Sequence, residues 1–418
     1  MLKNKIIYNP SSEWRLNLIK AKGSFLWDDK GNKFIDFTSG WNVTNLGWNN
    51  SEIKQAIINQ ARKNIYAPME TTDVVQKELA EYLTNLLPKE LNTVGRATGG
   101  TEANEEAIKT ARAFTRRKKI IGFKDTYHGQ SYATMSLGYL PEYIENMGIG
   151  PMVPEFIQLD FPNTYRTKKT PDKLLSDFAS ALENILRKKD IAAIVTEAGI
   201  ITGWGSTYLA PNGYLKLVSS LTKKYGTLLI LDEVGTGFSR LGKLFGMQID
   251  EVIPDIVTFA KGLSNGAAAI GAMVTKKEIA EKIFAKTNLT STFGWTPIAC
   301  AAALKVLQIH KRDKVWEKAK KDGEYLLNTL KNELKNNPSV GDIRGIGMEI
   351  GIDFVKDIKS KEKNTYLVKK IISLGMKKGL YLNGDFESNI QLMPPLTIDR
   401  KTLDQGLEIL IEIIKKSD

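Results

Sequence analysis

Three short segments of this chain carry groups that suit the binding of a charged small molecule. The first is Thr98-Gly99-Gly100-Thr101, which precedes a segment with helical periodicity. Free backbone N–H groups at a helix N-terminus, together with the helix dipole, favour an anion such as a phosphate. The same residues are equally compatible with an ordinary helix N-cap at Thr101. This segment therefore indicates an anion site only in combination with others.

The other two segments place a carboxylate and an amine at the ends of apolar runs. Asp232 ends the run LLILD, where an ionised carboxylate without a partner would be costly to bury. Lys261 ends DIVTFAK and is followed by Gly262, so a ligand can approach closely, and the pKa of a lysine falls readily on desolvation. A structural salt bridge at Asp232 and a solvated lysine at position 261 are the alternatives when each segment is taken alone.

The elements that must position these groups alternate along the chain. Strands are predicted for TVGRA, KKIIGF, IAAIVTEA, TLLILDEV and DIVTFAK, and amphipathic helices lie between them. Continuous apolar strands with intervening helices predict an α/β fold with a mostly parallel sheet covered on both faces. Because ligands bind beyond the carboxyl ends of the strands in such sheets, we expect the three segments to meet there.

An anion site, a buried carboxylate and a strand-end amine are the three groups that pyridoxal 5′-phosphate (PLP) requires. The anion site holds its phosphate, the carboxylate its pyridine nitrogen and the amine its aldehyde. The combination of Thr98–Thr101, Asp232 and Lys261 therefore predicts a PLP enzyme in which Lys261 carries the cofactor as a Schiff base.

Composition argues against several other classes of protein. The chain has 418 residues and a net charge of +12, but Lys and Arg are interspersed with acids rather than clustered as in nucleic-acid- or membrane-binding proteins. Such a protein remains a remote alternative. With only two histidines, His128 and His310, no metal site is predicted. Cys300 is the only cysteine, which predicts a buried structural thiol and a cytoplasmic location without disulfides.

The pattern divides the chain into three regions. Residues 1–45 include strand-like runs on either side of the turn signal DDKGN, which predicts a β-hairpin belonging to a small domain. Residues 46–310 form the predicted large cofactor-binding domain. Residues 311–418 change to a long charged helix, the strand-like RGIGMEIGIDF and two further helices, which predicts a smaller α/β domain.

Beyond these patterns, the sequence resembles the class III (ornithine/4-aminobutyrate-type) aminotransferases of PLP fold type I. The resemblance covers nearly the whole chain and is carried, in order, by GGTEANEEAIKTAR, YHGQSYATMSL, DEVGTGFSRLG, AKGLSNG, STFGWTPIACAAAL and MPPLTI. It implies a large domain with a seven-stranded, mostly parallel sheet between helices, plus a smaller α/β domain. It also implies transfer of an amino group from an amine or amino acid to a 2-oxo acid such as pyruvate or 2-oxoglutarate.

The resemblance also implies roles for individual residues. Lys261 forms the Schiff base and moves the proton between Cα and C4′, and Asp232 keeps the pyridine nitrogen protonated. Tyr127 and Val234 grip the two faces of the ring. Thr292 reaches the phosphate bound by a second subunit, so the resemblance implies a homodimer with shared active sites. The full set of implied cofactor-binding residues is Gly99, Gly100, Thr101, Tyr127, His128, Glu197, Asp232, Val234, Lys261 and Thr292.

The chain departs from the family pattern where substrates bind. Gln391 stands where many members carry an arginine that is separated by two residues from the terminal Pro-Pro, and Gln130 stands where an arginine often follows His-Gly. A neutral amide cannot form the charge-assisted fork that an arginine makes with a carboxylate. We therefore expect an apolar or weakly charged amino donor, in a pocket that includes Trp41.

Two further departures concern the cofactor's surroundings. Ala198 replaces the proline of the family's Glu-Pro motif, and Gly235 replaces its usual glutamine. An amino-acid 2-epimerase shares every cofactor motif and stays open as an alternative to the aminotransferase.

Overall fold

A computed structural model describes residues 16–284, 287, 289–385 and 387–417. Its strands are β1 (Leu18–Lys22), β2 (Phe25–Asp28), β3 (Lys33–Asp36), β4 (Thr93–Ala97), β5 (Lys119–Phe123), β6 (Phe156–Leu159), β7 (Ile191–Thr196), β8 (Ile200–Ile201), β9 (Tyr208–Leu209), β10 (Leu228–Asp232), β11 (Ile256–Phe259), β12 (Gly271–Thr275), β13 (Val340–Ile346), β14 (Glu349–Phe354), β15 (Leu380–Tyr381), β16 (Asn383–Gly384) and β17 (Asn389–Leu392). Its helices are α1 (Ser39–Asn42), α2 (Ser51–Ala61), α3 (Val74–Leu86), α4 (Gly100–Thr115), α5 (Tyr132–Gly138), α6 (Pro141–Met147), α7 (Pro171–Leu186), α8 (Tyr214–Tyr225), α9 (Lys277–Ile283), α10 (Pro297–Asp313), α11 (Val315–Glu333), α12 (Thr365–Lys377) and α13 (Arg400–Lys415).

The large sheet has seven strands in the order β4-β12-β11-β10-β7-β5-β6. Strand β12 runs antiparallel to both of its neighbours, and the other recorded pairs are parallel. The predicted fold is therefore confirmed: α/β with a mostly parallel seven-stranded sheet. The sequence patterns identified five of its strands and missed β6 and β12.

Successive side chains of the central strands point to opposite faces and pack into two separate apolar cores, as a sheet covered on both faces requires. On one face, Ile230 of β10 and Ile256 of β11 pack with Ala107 and Ala111 of α4. On the other face, the neighbouring side chains of the same strands pack against helices α7, α8 and α10. Helix α4 is thereby clamped against the sheet with its N-terminus beyond the end of β4.

The remaining strands form smaller sheets. Strands β2 and β3 are the predicted hairpin, and β3 also pairs in parallel with β15 from the C-terminal region. The segment RGIGMEIGIDF, predicted as one strand-like run, is two antiparallel strands, β13 and β14, that turn at Gly347 with a φ of 58°. A four-stranded sheet in the order β13-β14-β17-β16 results.

The N-terminal hairpin and the C-terminal region share one apolar core. That core includes Ile35 and Phe37 together with side chains of β14, α12 and α13. Helix α10 contributes to this core and to the core of the large sheet. This packing supports our division into residues 1–45, 46–310 and 311–418, which remains a proposal, and residues 1–15 lie outside the described part.

Candidate active site

A cavity of about 310 Å³ opens where β4, β10 and β11 end. Carboxyl ends of parallel strands are the usual place for a ligand in this architecture. Nine of the ten predicted cofactor-binding residues line this cavity: Gly99, Gly100, Thr101, Tyr127, His128, Glu197, Asp232, Val234 and Lys261. Their assigned roles remain predictions, but the fold brings together segments that are far apart in sequence.

The N-terminus of α4 faces the cavity without a side-chain cap. Gly99 is the N-cap residue, and a Cβ built there would meet nothing within 4 Å. Gly100 lies against Val234, whose methyl groups would be 3.1 Å from a Cβ at position 100. The carboxylate of Glu102 accepts hydrogen bonds of 2.6 Å from the backbone N and the hydroxyl of Thr98, which fixes the loop. The first N–H groups of this 16-residue helix are therefore available to an anion.

Asp232 is held in place from both sides of its carboxylate. Its Oδ1 accepts the backbone N–H of Val234 at 2.8 Å. Its Oδ2 accepts the Nδ2 of Asn104 at 2.9 Å and lies 2.7 Å from Nδ1 of His128. Because a carboxylate only accepts, Nδ1 of His128 carries the proton in this pair. The buried Asp232 therefore has a fixed orientation, with three hydrogen-bond donors around its carboxylate.

Asn104 is a site residue that the sequence patterns did not identify. It lies on the buried face of α4, donates from Nδ2 to His128 O at 2.9 Å, and accepts from the hydroxyl of Thr258 at 2.7 Å. With the bond to Asp232, its amide makes three recorded hydrogen bonds, two of them to residues that line the cavity. The sequence did contain one signal for this residue: Asn104 is a polar amide on a helix face that is otherwise occupied largely by buried alanines.

Lys261 follows β11 at the start of a 3₁₀ turn, with a φ of 41°. A non-glycine residue in the left-handed region is strained, and such strain concentrates at functional sites. Burial lowers the pKa of the Lys261 amine, whereas the carboxylates of Glu197, Asp232 and Glu349 oppose that shift. A neutral amine, which is the nucleophilic form, is therefore more accessible than for a solvated lysine.

Glu197 contributes a second buried carboxyl to the cavity. It accepts the backbone N–H of Thr202 at 3.1 Å and the hydroxyl of Thr202 at 2.5 Å. Burial raises the pKa of Glu197 to about 7, and the nearby Asp232 adds to that rise. The geometry of this loop is well defined although Ala198 replaces the family's proline.

Three aromatic rings pack together beside the cavity, and Tyr127 is the one that lines it. The rings of Tyr127 and Trp204 are 5.4 Å apart, edge to face, and those of Tyr139 and Trp204 are 4.7 Å apart. The indole N–H of Trp204 donates to Thr126 O at 3.2 Å. Tyr127, which lines the cavity, is therefore braced from behind, as a ring that stacks on a cofactor needs to be.

The three predicted substrate-pocket residues are not among those lining this cavity. Trp41 is 39% exposed and lies in the turn α1, while Gln130 is exposed beside Tyr127 and Tyr139. Gln391 is buried, and its Nε2 is fully used in hydrogen bonds to Thr202 O, Ser206 O and Glu349. It therefore stands behind the cavity wall.

Thr292, the tenth predicted cofactor residue, is also absent from the cavity of its own chain. It is exposed, next to Phe293, which is 65% exposed and contacts the ring of Tyr66. This position agrees with the expectation that Thr292 serves a neighbouring subunit, which remains a prediction.

The residues present fit PLP. An uncapped helix N-terminus, a fixed buried carboxylate and a desolvated lysine lie around one cavity, and Tyr127 and Val234 are placed near it on separate segments. Within the described part of the chain, no cluster of three or more His, Cys, Asp or Glu suits a metal ion. Nor does any described helix have the length and apolar character needed to cross a membrane.

Comparisons with known proteins agree with this geometry. The family model described as Aminotransferase class-III matches residues 7–414. An acetylornithine aminotransferase from Methanothermobacter thermautotrophicus is 32% identical, with 99% of this chain and 97% of the relative covered. An isoleucine 2-epimerase from Lentilactobacillus buchneri is 30% identical, covering 95% and 89%. The crystal structure of an (S)-enantioselective omega-transaminase from Thermomicrobium roseum has a TM-score of 0.89 and 34% identity, covering 97% and 92%.

Proposed function

This chain belongs to the class III aminotransferases, which depend on PLP, and we propose that it takes an apolar or weakly charged amine or amino acid as donor. The acceptor is a 2-oxo acid, for which we propose pyruvate or 2-oxoglutarate. A single observation carries the proposal on the donor: no arginine lines the described cavity, and Lys261 is its only lysine.

We further propose that Lys261 and Asp232 are the catalytic residues. When bound, PLP supplies an electron-withdrawing ring that stabilises negative charge at the donor's Cα. The low-dielectric surroundings of Lys261 favour its neutral amine. This amine can remove the proton from Cα of the donor and would deliver it to C4′ of the cofactor. Asp232, fixed by His128 and Asn104, presents a negative charge that holds a proton on the ring nitrogen.

The remaining cavity residues orient and enclose the cofactor in this proposal. The N–H groups of Gly100 and Thr101 hold the phosphate, with Gly99 leaving the approach open. Tyr127 and Val234, which both line the cavity, would hold the two faces of the ring. Glu197 orders the loop that carries Thr202 by accepting its backbone N–H and its hydroxyl.

The donor proposal rests on the missing carboxylate clamp. Neither Gln130 nor Gln391 lines the cavity. Gln130 hydrogen-bonds to Tyr127 and Tyr139, and the Nε2 of Gln391 is committed to Thr202 O, Ser206 O and Glu349. Arg240, which could replace the clamp, is fully buried and donates to Met348 O, Pro394 O, Asn45 and Ser39. Arg15 lies outside the described residues.

A donor panel tests the proposal. We expect kcat/KM for an apolar amine or amino acid to exceed that for ornithine, acetylornithine and 4-aminobutyrate by roughly ten- to a hundred-fold, the range for a lost charge-assisted pair. Pyruvate and 2-oxoglutarate should be compared as acceptors with one donor held constant. A best donor among ornithine, acetylornithine or 4-aminobutyrate would contradict the donor proposal and leave the aminotransferase assignment intact.

Epimerisation is a second candidate activity, favoured by the 30% identity to an isoleucine 2-epimerase. It needs the same cofactor and the same Lys261 but no acceptor. Incubating the holoenzyme with a single L-amino acid, without a 2-oxo acid, and following chirality distinguishes the two. Loss of optical activity without formation of a 2-oxo acid would favour the epimerase.

We propose that the active enzyme is a cytoplasmic homodimer. Thr292 and Phe293 are exposed together with Tyr66 and Met69, an apolar surface of the kind that marks a protein interface. A partner subunit packed there would cover these side chains. Thr292 would then lie toward the phosphate site of that partner.

A further inference from the structure

Glu349 is a fully buried carboxyl group that the proposed reaction does not use. It begins β14 and accepts the Nδ2 of Asn42 at 2.8 Å, the Nε2 of Gln391, and the hydroxyl of Thr207 at 3.3 Å. Within the described ranges it forms no ion pair. Buried carboxylates without an ion pair are rare, so this group needs an explanation.

The partners of Glu349 connect it to two walls of the cavity. Asn42 ends α1, a turn in which Ser39, Gly40, Trp41 and Asn42 have φ values of 46°, 57°, 67° and 62°. Such a left-handed turn is strained and must be fixed by its surroundings. The next residue, Val43, lines the cavity.

On the other side, Gln391 links Glu349 to the second wall. The Nε2 of Gln391 also donates to the carbonyls of Thr202 and Ser206, at 3.1 Å each. Thr202 lines the cavity. Glu349 is therefore directly behind both walls, joined to each by one amide.

Glu349 also affects the charge of the site. With Glu197 and Asp232, it is one of three carboxyls whose charges favour protonation of Lys261. The charge of Arg240 opposes the rise in the pKa of Glu349, and Arg240 also faces a second buried carboxyl, Asp36. One guanidinium cannot neutralise two carboxylates, so the region behind the wall becomes negatively charged when both carboxyls ionise, which burial shifts to higher pH.

We propose that Glu349 is a specificity-determining residue that disfavours substrates carrying an additional carboxylate. Together with the carbonyls of Thr202 and Ser206, it occupies the Nε2 of Gln391 and leaves no donor there for a substrate carboxylate. Its carboxylate also lies beside position 391, where other family members are implied to carry an arginine, and adds negative charge there when it is ionised. This inference rests on the proposed function, and it identifies the group that enforces the donor preference.

The first test compares two donors that differ only in a carboxylate: 1-phenylethylamine and 3-amino-3-phenylpropanoate, with pyruvate as acceptor. Burial raises the pKa of Glu349, so the ratio is measured as a function of pH and the variants are compared at the alkaline end of the range in which the enzyme stays folded. We expect Glu349→Gln to lower the amine-to-amino-acid ratio of kcat/KM about tenfold, as expected for removing one charge at moderate distance. A ratio within twofold of that of the unaltered enzyme would overturn the proposal.

Asp353 provides a matched control. It is another fully buried carboxylate of β14, but it is paired with Arg166 and Arg344. Asp353→Asn should lower the melting temperature and leave the donor ratio unchanged. A ratio that moves equally in this variant would assign the effect to general disturbance of β14 and would contradict the proposal.

A second variant keeps the test decisive if Glu349→Gln does not fold. In Gln391→Arg the new guanidinium should pair with Glu349. The kcat/KM for 3-amino-3-phenylpropanoate should therefore rise less than threefold. In the double variant with Glu349→Gln, the gain should be about tenfold or more. A full gain from Gln391→Arg alone would overturn the inference. Failure of the proposed function would look different, because neither donor would then change the absorption spectrum of the bound cofactor.

Discussion

Replacing Asp232 by Asn tests the central electrostatic contact of the site. The two side chains have the same shape, but the amide has one NH₂ group where the carboxylate has an acceptor. In the structure Oδ1 faces the N–H of Val234, and Oδ2 faces donors from Asn104 and His128. Either orientation of the new amide therefore sets its NH₂ group against at least one donor, and in one orientation against two.

The size of the effect follows from these contacts. Each buried donor left without an acceptor costs about 1–3 kcal/mol, so we expect Asp232→Asn to lower the free energy of unfolding by that amount. The catalytic loss is separate, because the neutral amide cannot hold a proton on the ring nitrogen. Removing a single preorganised electrostatic contact typically lowers kcat about 10²–10³-fold, and we expect at least that here.

The assay compares kcat and the rate of the donor half-reaction, followed by cofactor absorbance, with thermal unfolding of the same preparations. Glu233→Gln is the matched control, because Glu233 is the adjacent buried carboxyl and accepts from Gly246 N, Met247 N and Thr236 without lining the cavity. It should lose stability but retain turnover. Near-normal turnover in Asp232→Asn would refute the reasoning, and so would a loss of turnover in Glu233→Gln as large as that in Asp232→Asn.

Three further predictions follow from the site. Borohydride reduction of the yellow holoenzyme should fix the cofactor on Lys261, and peptide mapping should locate the adduct there. Lys261→Ala should be inactive, whereas the control Lys276→Ala should have normal activity. An adduct on another residue would disprove the assignment. Mixing Lys261→Ala subunits with an inactive Thr292 variant should restore activity in hybrid dimers, and hybrids that never regain activity would count against a shared site. Burial raises the pKa of Glu233 to about 7, so the folded state holds its proton more tightly than the unfolded state and stability from this group is lost as pH rises from about 4.5 to 7. The stability of Glu233→Gln relative to the unaltered protein should therefore increase by up to about 1.4 kcal/mol per pH unit in that window, and a pH-independent difference would show that Glu233 stays ionised.

The sequence alone determined the main strands, the order of the motifs and the cofactor. Strand and helix periods are local properties, so IAAIVTEA and TLLILDEV could be read directly as buried strands. Lys261 and Asp232 were identifiable because a charged residue at the end of an apolar run needs a reason to be there. A sheet of known architecture then brings such strand ends together, which is why nine predicted residues line one cavity.

Only the tertiary structure decided which polar groups are free and which are committed. Gln391 and Gln130 were expected in the substrate pocket, but the first is bonded behind its wall and the second is exposed. The contact between Asn42 and Glu349 joins residues 307 positions apart, and Asn104 reaches Asp232 across 128 positions. No local pattern records such pairs, because the hydrogen-bond partner of a buried amide or carboxyl depends on which distant segments the packed fold places beside it.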